Sequence, residues 1–250
     1  MLYLIGTGLY YLNDLPLRAV DELRECDEIL LERYTNLNDI SFLERLEKEI
    51  GKKIEVVGRE IMESNIILDK ASKEKLAVLI PGDPLAATTH FSLIQECKAK
   101  NIQIQVIHSS SIFSAVGETG LSLYKFGGTT SIPIYSEHFH PESFFNIIEK
   151  NIKCGYHSLV LLEVRNREEF VSPAKAVEIL KKIENKKEIK IIDWKNVIVI
   201  SRIGSIDQRM ININDIDLNS LEPPCSLVIP GELSENEKEA LKLLWHSTDD

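Results

Sequence analysis

Asp83 is the residue whose neighbours best equip it for chemistry. It lies in Pro81-Gly82-Asp83-Pro84-Leu85-Ala86-Ala87-Thr88-Thr89-His90, behind the apolar run Leu76-Ala77-Val78-Leu79-Ile80 and ahead of a helical pattern. Gly82 allows a positive φ or a close approach of backbone to a ligand, while Pro84 fixes its own φ and biases Asp83 away from helix. The spacing predicts a strand held open at its carboxyl end, with one carboxylate presented there. Thr88 or Thr89 is expected to cap the helix carrying Phe91, Ile94 and Cys97, aiming free backbone N–H groups at the strand ends. The same Gly-Asp-Pro run also suits an ordinary strand-to-helix connection, so its company has to decide.

A second loop, Gly6-Thr7-Gly8-Leu9-Tyr10-Tyr11-Leu12-Asn13-Asp14, also follows a strand-like run. It carries the first two glycines of a dinucleotide fingerprint, but Tyr11 stands where a third glycine would permit close helix packing. A nicotinamide enzyme is therefore disfavoured, and a turn whose backbone approaches another nucleoside remains open. Glu137, His138, His140 and Glu142 form an H-x-H loop without a third defined ligand, which reads as solvated surface, and no metal is expected. Ser111 lies in a Ser-rich turn, with no G-x-S-x-G elbow to make it a nucleophile. His90 reads as a hydrogen-bonding group of the loop or helix start. No acid–base machine stands out, and no catalytic residue is assigned. That absence suits methyl transfer from a sulfonium donor, in which a protein mainly aligns the nucleophile and excludes water.

Composition narrows the class. With 250 residues and 44% hydrophobic content, the chain can bury a large core in one large or two modest domains. A formal charge of −10 argues against a partner held by its phosphates, so direct nucleic-acid binding is not expected. No run reaches bilayer-spanning length and the start lacks a basic leader, which predicts a soluble, cytoplasmic protein with no membrane partner. Cys26, Cys97, Cys154 and Cys225 are scattered and read as reduced thiols. The Lys-rich segment 181–187 reads as a solvated helix end.

Strand-length apolar runs at 2–5, 28–31, 54–57, 76–80 and 102–107 alternate with helical patterns at 17–24, 40–49, 61–71 and 91–99. Such alternation predicts βαβ units around a mostly parallel sheet, with ligands at the carboxyl ends of its strands. Beyond Ser109-Ser110-Ser111 the texture changes. Strands are expected at 130–135, 158–164, 196–201, 209–213 and 226–229, some with the short connections of antiparallel pairing. Pro141 and Pro173, the latter behind the cap Ser172, are expected to open helices, and Ser234 with Glu237 forms a capping box. The fold class is two α/β domains, 1–109 and 110–250, the first with a mostly parallel sheet and the second with a mixed one.

The motifs then carry a resemblance. Gly6-Thr7-Gly8-Leu9, Glu32-Arg33-Tyr34-Thr35, the 81–90 loop, His108-Ser109-Ser110-Ser111-Ile112-Phe113-Ser114-Ala115-Val116-Gly117 and Gly120-Leu121-Ser122-Leu123-Tyr124-Lys125-Phe126-Gly127 occur in family order. They are followed by Gly155-Tyr156-His157-Ser158-Leu159, Arg202-Ile203-Gly204-Ser205 and Pro223-Pro224-Cys225. Together they resemble the diphthine synthase family of the tetrapyrrole-methylase-like superfamily, in its shorter archaeal type. The resemblance implies a homodimer of two-domain subunits with a cofactor in an interdomain cleft. It also implies repeated methyl transfer from S-adenosylmethionine to the amino group of an aminocarboxypropyl-modified histidine in translation elongation factor 2. Carried over, the cofactor contacts are Leu9, Asp83, Ala86, Ser111, Ile112, Leu162, Ile203 and Cys225. The chain departs from the family at Cys225, where His commonly follows the Pro-Pro pair, and at Ile203, often Ala. Tyr10, Tyr11, Tyr124 and Phe126 are candidate faces for a growing cation, and Glu118 a candidate carboxylate. The competing readings are a precorrin or porphyrinogen methylase acting on a tetrapyrrole, and a non-catalytic nucleoside-binding regulatory module.

Overall fold

Leu2–Gly6 is buried along its whole length because it is the fourth strand of a five-stranded parallel sheet and has a neighbour on either side. The computed structural model describes residues 1–10, 12–32, 40–166 and 168–245. Tyr11, and the Arg33, Tyr34 and Thr35 of the E-R-Y-T motif, lie outside the described residues. The chain divides into two compact units, Met1–Phe113 and Ser114–Asp250.

In the first unit, strands β1 (Leu2–Gly6), β2 (Glu28–Glu32), β3 (Glu55–Val57), β4 (Leu76–Ile80) and β5 (Ile104–Ile107) are ordered β3-β2-β4-β1-β5, all parallel. Helices α1 (Leu17–Glu25), α2 (Ile40–Ile50), α3 (Arg59–Met62), α4 (Ile66–Ala71) and α5 (Phe91–Ala99) supply the crossovers. Strand residues alternate between two cores. Tyr3, Ile5, Ile29 and Leu79 pack with Leu23 and Leu46, whereas Leu2, Leu4, Leu30 and Val78 pack with Ile67, Leu93 and Cys97. A strand buried on both faces must read as a continuous apolar run, as β1 and β4 do. The expected helix over 61–71 is broken in two. Ser64 Oγ donates to Ile61 O at 2.7 Å and accepts from Ile66 N–H at 3.3 Å, competing with the helix ladder.

In the second unit, after α6 (Ile112–Ala115), strands β6 (Thr130–Ile132), β7 (Ser158–Leu162), β8 (Ile198–Ser201), β9 (Arg209–Asn212) and β10 (Cys225–Ile229) are ordered β6-β7-β10-β8-β9. Only β6 and β7 run parallel, so the sheet is mixed. Helices α7 (Ser143–Lys153) and α8 (Pro173–Lys187) bury Phe145, Ile148, Leu180 and Ile183 against one core, and α9 (Glu235–Trp245) ends the described chain. Ser172 Oγ accepts from Lys175 N–H at 3.2 Å with Pro173 in the first helical turn, as expected. Pro141 does not open its helix: the cap is Glu142 and the first helical residue Ser143, so the proline lies one residue ahead of the cap. The capping box forms at α9, where Glu237 accepts from Ser234 N–H at 2.8 Å and Ser234 Oγ accepts from Glu237 N–H at 3.4 Å.

Glu237 does more than cap. His157, wholly buried, lies 2.9 Å from it through Nε2 and accepts Gly231 N–H at Nδ1 (2.9 Å), while Lys125 Nζ and Ser122 N–H donate to its two oxygens at 2.5 and 3.0 Å. Burial pushes the His157 pKa down. Burial alone would raise the Glu237 carboxyl, but the bonds from Lys125, Ser234, Ser122 and His157 override it and hold it well below the usual carboxylate range. This clasp fastens the L-Y-K-F-G motif to the last helix. All four cysteines are free, and Cys154 alone is exposed. Among the described residues no helix is long and apolar enough to cross a membrane.

Candidate functional site

The parallel order of the first sheet brings the loops after β4, β1 and β5 side by side at the carboxyl ends of its strands. Gly8 and Gly82 bridge two of them: Gly8 N–H donates to Gly82 O at 3.2 Å and Gly82 N–H returns to Gly8 O at 2.9 Å. Both take positive φ, 78° and 70°, which only glycine adopts without cost. A Cβ on Gly6 would stand 2.4 Å from Gly82 O and 2.9 Å from Ser109 Cβ, so this approach excludes any side chain.

Asp83 is presented at this point. Its Oδ1 accepts from Leu85 N–H at 3.0 Å, and its Oδ2 accepts from Ser109 N–H at 3.2 Å and faces His108 Nδ1 at 2.8 Å. Hydrogen bonds to a charged group contribute about 1.5–3 kcal/mol each, so the carboxylate ties its own loop to the one after β5. An ionised carboxylate offers about four acceptor positions, which leaves capacity for a ligand hydroxyl or amine. Ala86 N–H donates to Asp83 O at 3.1 Å, and Ala87 follows with φ 55°. A left-handed non-glycine residue costs about 1–2 kcal/mol, and such strain gathers at ligand loops. Leu9 is half-buried after Gly8, and Ser111, buried, accepts Phe113 N–H at 3.3 Å beside half-buried Ile112. Thr7, 1% exposed, has a hydroxyl without a hydrogen-bond partner among the described residues. Such a group costs about 1–3 kcal/mol unless a water or a ligand atom meets it. Paired glycine turns, an oriented carboxylate and this hydroxyl fit a nucleoside-like group.

The expected threonine cap is corrected here. The residue capping α5 is His90, which makes no side-chain cap bond; Thr88 Oγ1 accepts from His90 N–H at 3.3 Å, closing a turn before the helix. The reading of His90 as a loop hydrogen-bonding residue holds, but sequence reasoning missed its buried partner. Glu32 is 1% exposed at the end of β2, and its Oε1 lies 3.2 Å from His90 Nε2. A glutamate closing an apolar strand was the available signal.

In the second unit, Leu162 ends β7, Cys225 opens β10 and Ile203 lies two residues beyond β8. Ser226 pairs with Leu161, Cys225 pairs with Ser201, and Arg202 N–H donates to Pro224 O at 2.9 Å, so the three lie at one end of this sheet. Leu162 and Cys225 contribute side chains to the core. The Cys225 thiol donates to Glu222 O at 3.2 Å, and burial pushes its pKa up to about 11. It is a packed, neutral group.

Of the candidate cation groups, Tyr124 is 98% exposed, and Phe126 and His157 make a T-shaped ring contact at 5.4 Å. Glu118 accepts from Gln208 Nε2 at 2.8 Å, and Gln208 Oε1 in turn accepts Gly204 N–H at 2.6 Å. Tyr10 N–H donates to Asp14 Oδ2 at 2.9 Å. Among the described residues no three His, Cys, Asp or Glu side chains group as metal ligands, and His140 instead meets Tyr135 edge-on at 4.9 Å.

Comparison with known proteins identifies the family. The model of the tetrapyrrole (corrin/porphyrin) methylases matches residues 1–217. A diphthine synthase of Methanocaldococcus jannaschii is 38% identical, covering 98% of both chains. The diphthine methyl ester synthase of Saccharomyces cerevisiae is 36% identical over 92% of this chain and 84% of its own. A solved Entamoeba histolytica protein assigned as a diphthine synthase superposes with a TM-score of 0.87 at 30% identity, covering 99% of each chain. The chain therefore belongs to the tetrapyrrole (corrin/porphyrin) methylase family and, within it, to the diphthine synthases.

Proposed function

We propose that this protein transfers methyl groups from S-adenosylmethionine to the amino group of an aminocarboxypropyl-modified histidine in translation elongation factor 2, a step of diphthamide biosynthesis. We further propose that it works as a cytoplasmic homodimer, and that Leu9, Asp83, Ala86, Ser111, Ile112, Leu162, Ile203 and Cys225 contact the cofactor. The observation that carries this reading is the loop pair at Gly8 and Gly82, with Asp83 held by three donors, in a chain that matches diphthine synthases along nearly its whole length. Relatives of that name favour a protein substrate over a tetrapyrrole.

S-adenosylmethionine supplies a methyl group on a sulfonium, a good leaving group that needs no protonation. What remains for the chain is to orient and to exclude water. The glycine turns, bonded to each other, let the two loops approach closely enough to flank the ligand, and Asp83, already fixed, accepts from it without reorganising. Cys225 serves through its main chain, since its thiol is engaged with Glu222. The accepting amine, protonated at neutral pH, releases its proton to solvent before each transfer.

The test is intact-mass measurement of elongation factor 2 carrying the unmethylated modified histidine, after incubation with this protein and S-adenosylmethionine. Methyl-sized gains confined to that histidine are expected. The name of the yeast relative adds a distinct outcome: a further gain that mild base removes would mark ester formation. No gain on the factor, with gain on a tetrapyrrole precursor, would reverse the assignment.

A further inference from the structure

We propose that His90, held by Glu32 and Thr88, is the positioning residue that keeps the loop from Asp83 to Thr88 in its ligand-ready shape. The inference rests on the assignment of Asp83 and Ala86 to the cofactor and extends it to residues that make no ligand contact.

The ring closes the loop on itself and then onto the sheet. Nδ1 lies 2.7 Å from Thr88 Oγ1 and 3.3 Å from Pro84 O, spanning the two ends of the segment that contains Ala86 and the left-handed Ala87. Nε2 lies 3.2 Å from Glu32 Oε1, at the end of the strand paired with β4. A carboxylate accepts, so Nε2–H donates to Glu32, Nδ1 of the neutral ring accepts from the Thr88 hydroxyl, and Pro84 O, itself an acceptor, is a packing contact of the ring. A concavity of about 160 Å³ is bordered by His90, Thr89, Ser92 and Ser64. His90 and Glu32 are 5% and 1% exposed, so their bonds face little competition from water. Nothing local favours a positive φ at Ala87; the closed ring of contacts sustains it. A loop fixed before binding spares the ligand the entropic cost of ordering it.

Replacing both buried partners by apolar groups of similar size removes the staple without stranding a charge. The test compares Glu32→Leu/His90→Phe, Glu32→Gln and Thr88→Val with the wild-type protein. The readouts are S-adenosylhomocysteine affinity by calorimetry, methyl-donor KM and kcat, and the melting temperature without ligand. The double variant should melt within a few degrees of wild type yet bind about tenfold more weakly, the equivalent of about 1.4 kcal/mol. That loss should appear in KM for the donor, with kcat retained at saturation. Glu32→Gln, whose amide oxygen still accepts from Nε2, should restore near-wild-type affinity. A folded double variant that binds as tightly as wild type overturns the staple. If the double variant does not fold, Thr88→Val decides: about threefold weaker binding supports the proposal, and unchanged binding overturns it. A wild-type protein that binds no S-adenosylhomocysteine would instead remove the cofactor assignment itself, a result separable from any variant's behaviour.

Discussion

The first sheet offers its candidate ligand residues from loops, and the second offers two of its three from strand ends packed into its core. Asp83, Gly82 and Ala86 stand beyond β4 in a chain bent by glycine, proline and a left-handed alanine, whereas Leu162 and Cys225 sit within strands and pack among Phe145, Leu227 and their neighbours. A loop residue contributes a side-chain atom in a fixed direction. A strand-end residue contributes backbone and shape. The difference teaches that one candidate set can join a fixed carboxylate to side chains already committed to packing.

The largest effect is expected at the clasp, which belongs to neither set of residues. Glu237→Ala strands Lys125 beside buried His157 and should cost the second unit about 3–5 kcal/mol, read as a lower denaturant midpoint. If ligand affinity of the remaining folded protein also collapsed, the clasp would have to count as part of the site. Gly6→Ala comes next. Its methyl would meet Gly82 O and should cost about 1–3 kcal/mol while abolishing S-adenosylhomocysteine binding, measured by calorimetry. Retained binding would show that the loop pair is not the ligand end.

A gentler probe uses protons. His157 and Glu237 both have folded pKa values below their unfolded ones, so the folded clasp resists protonation. Their stabilisation is complete above the ordinary histidine value of about 6.5. It is lost as pH falls, first through His157 and, below the carboxylate range, through Glu237. The melting temperature should decline between neutral and mildly acidic pH, and His157→Gln should flatten that decline; an equal slope in the variant would place the acid sensitivity elsewhere. The smallest effect sharpens the contrast directly. Cys225→Ala should lower stability by about 1 kcal/mol yet leave cofactor affinity within about twofold, because its thiol points to Glu222 and not to a ligand.

How much of this was readable from residues alone follows the same division. β1 and β4 were legible because strands covered on both faces are apolar throughout, and the mixed sheet was legible from short connections. The strand β6 ends at Ile132, short of the expected 135, because Ile134 N–H turns to Glu163 Oε2 at 2.7 Å. The break at Ser64 depends on a hydroxyl choosing backbone over solvent, which periodicity does not register. Asp83 and the glycines announced themselves because glycine, proline and aspartate constrain backbone wherever they occur. Leu162, Ile203 and Cys225 came only from family resemblance, since an apolar residue at or just past a strand end has the same composition as a strand middle. Glu32 and His90 are 58 residues apart, and only the pairing of β2 with β4 brings them together.

The clasp on the second sheet has a consequence in the order of synthesis. The first unit is a contiguous segment, Met1–Phe113, whose parallel strands and crossover helices exist as soon as it has emerged. His157 must wait for Glu237, 80 residues downstream. At about 5–20 residues per second that is roughly 4–16 s during which a histidine destined for complete burial, and the L-Y-K-F-G turn beside it, lack their final partner on the ribosome. The second unit is thus the last to close, and the arrival of its last helix is the event that closes it.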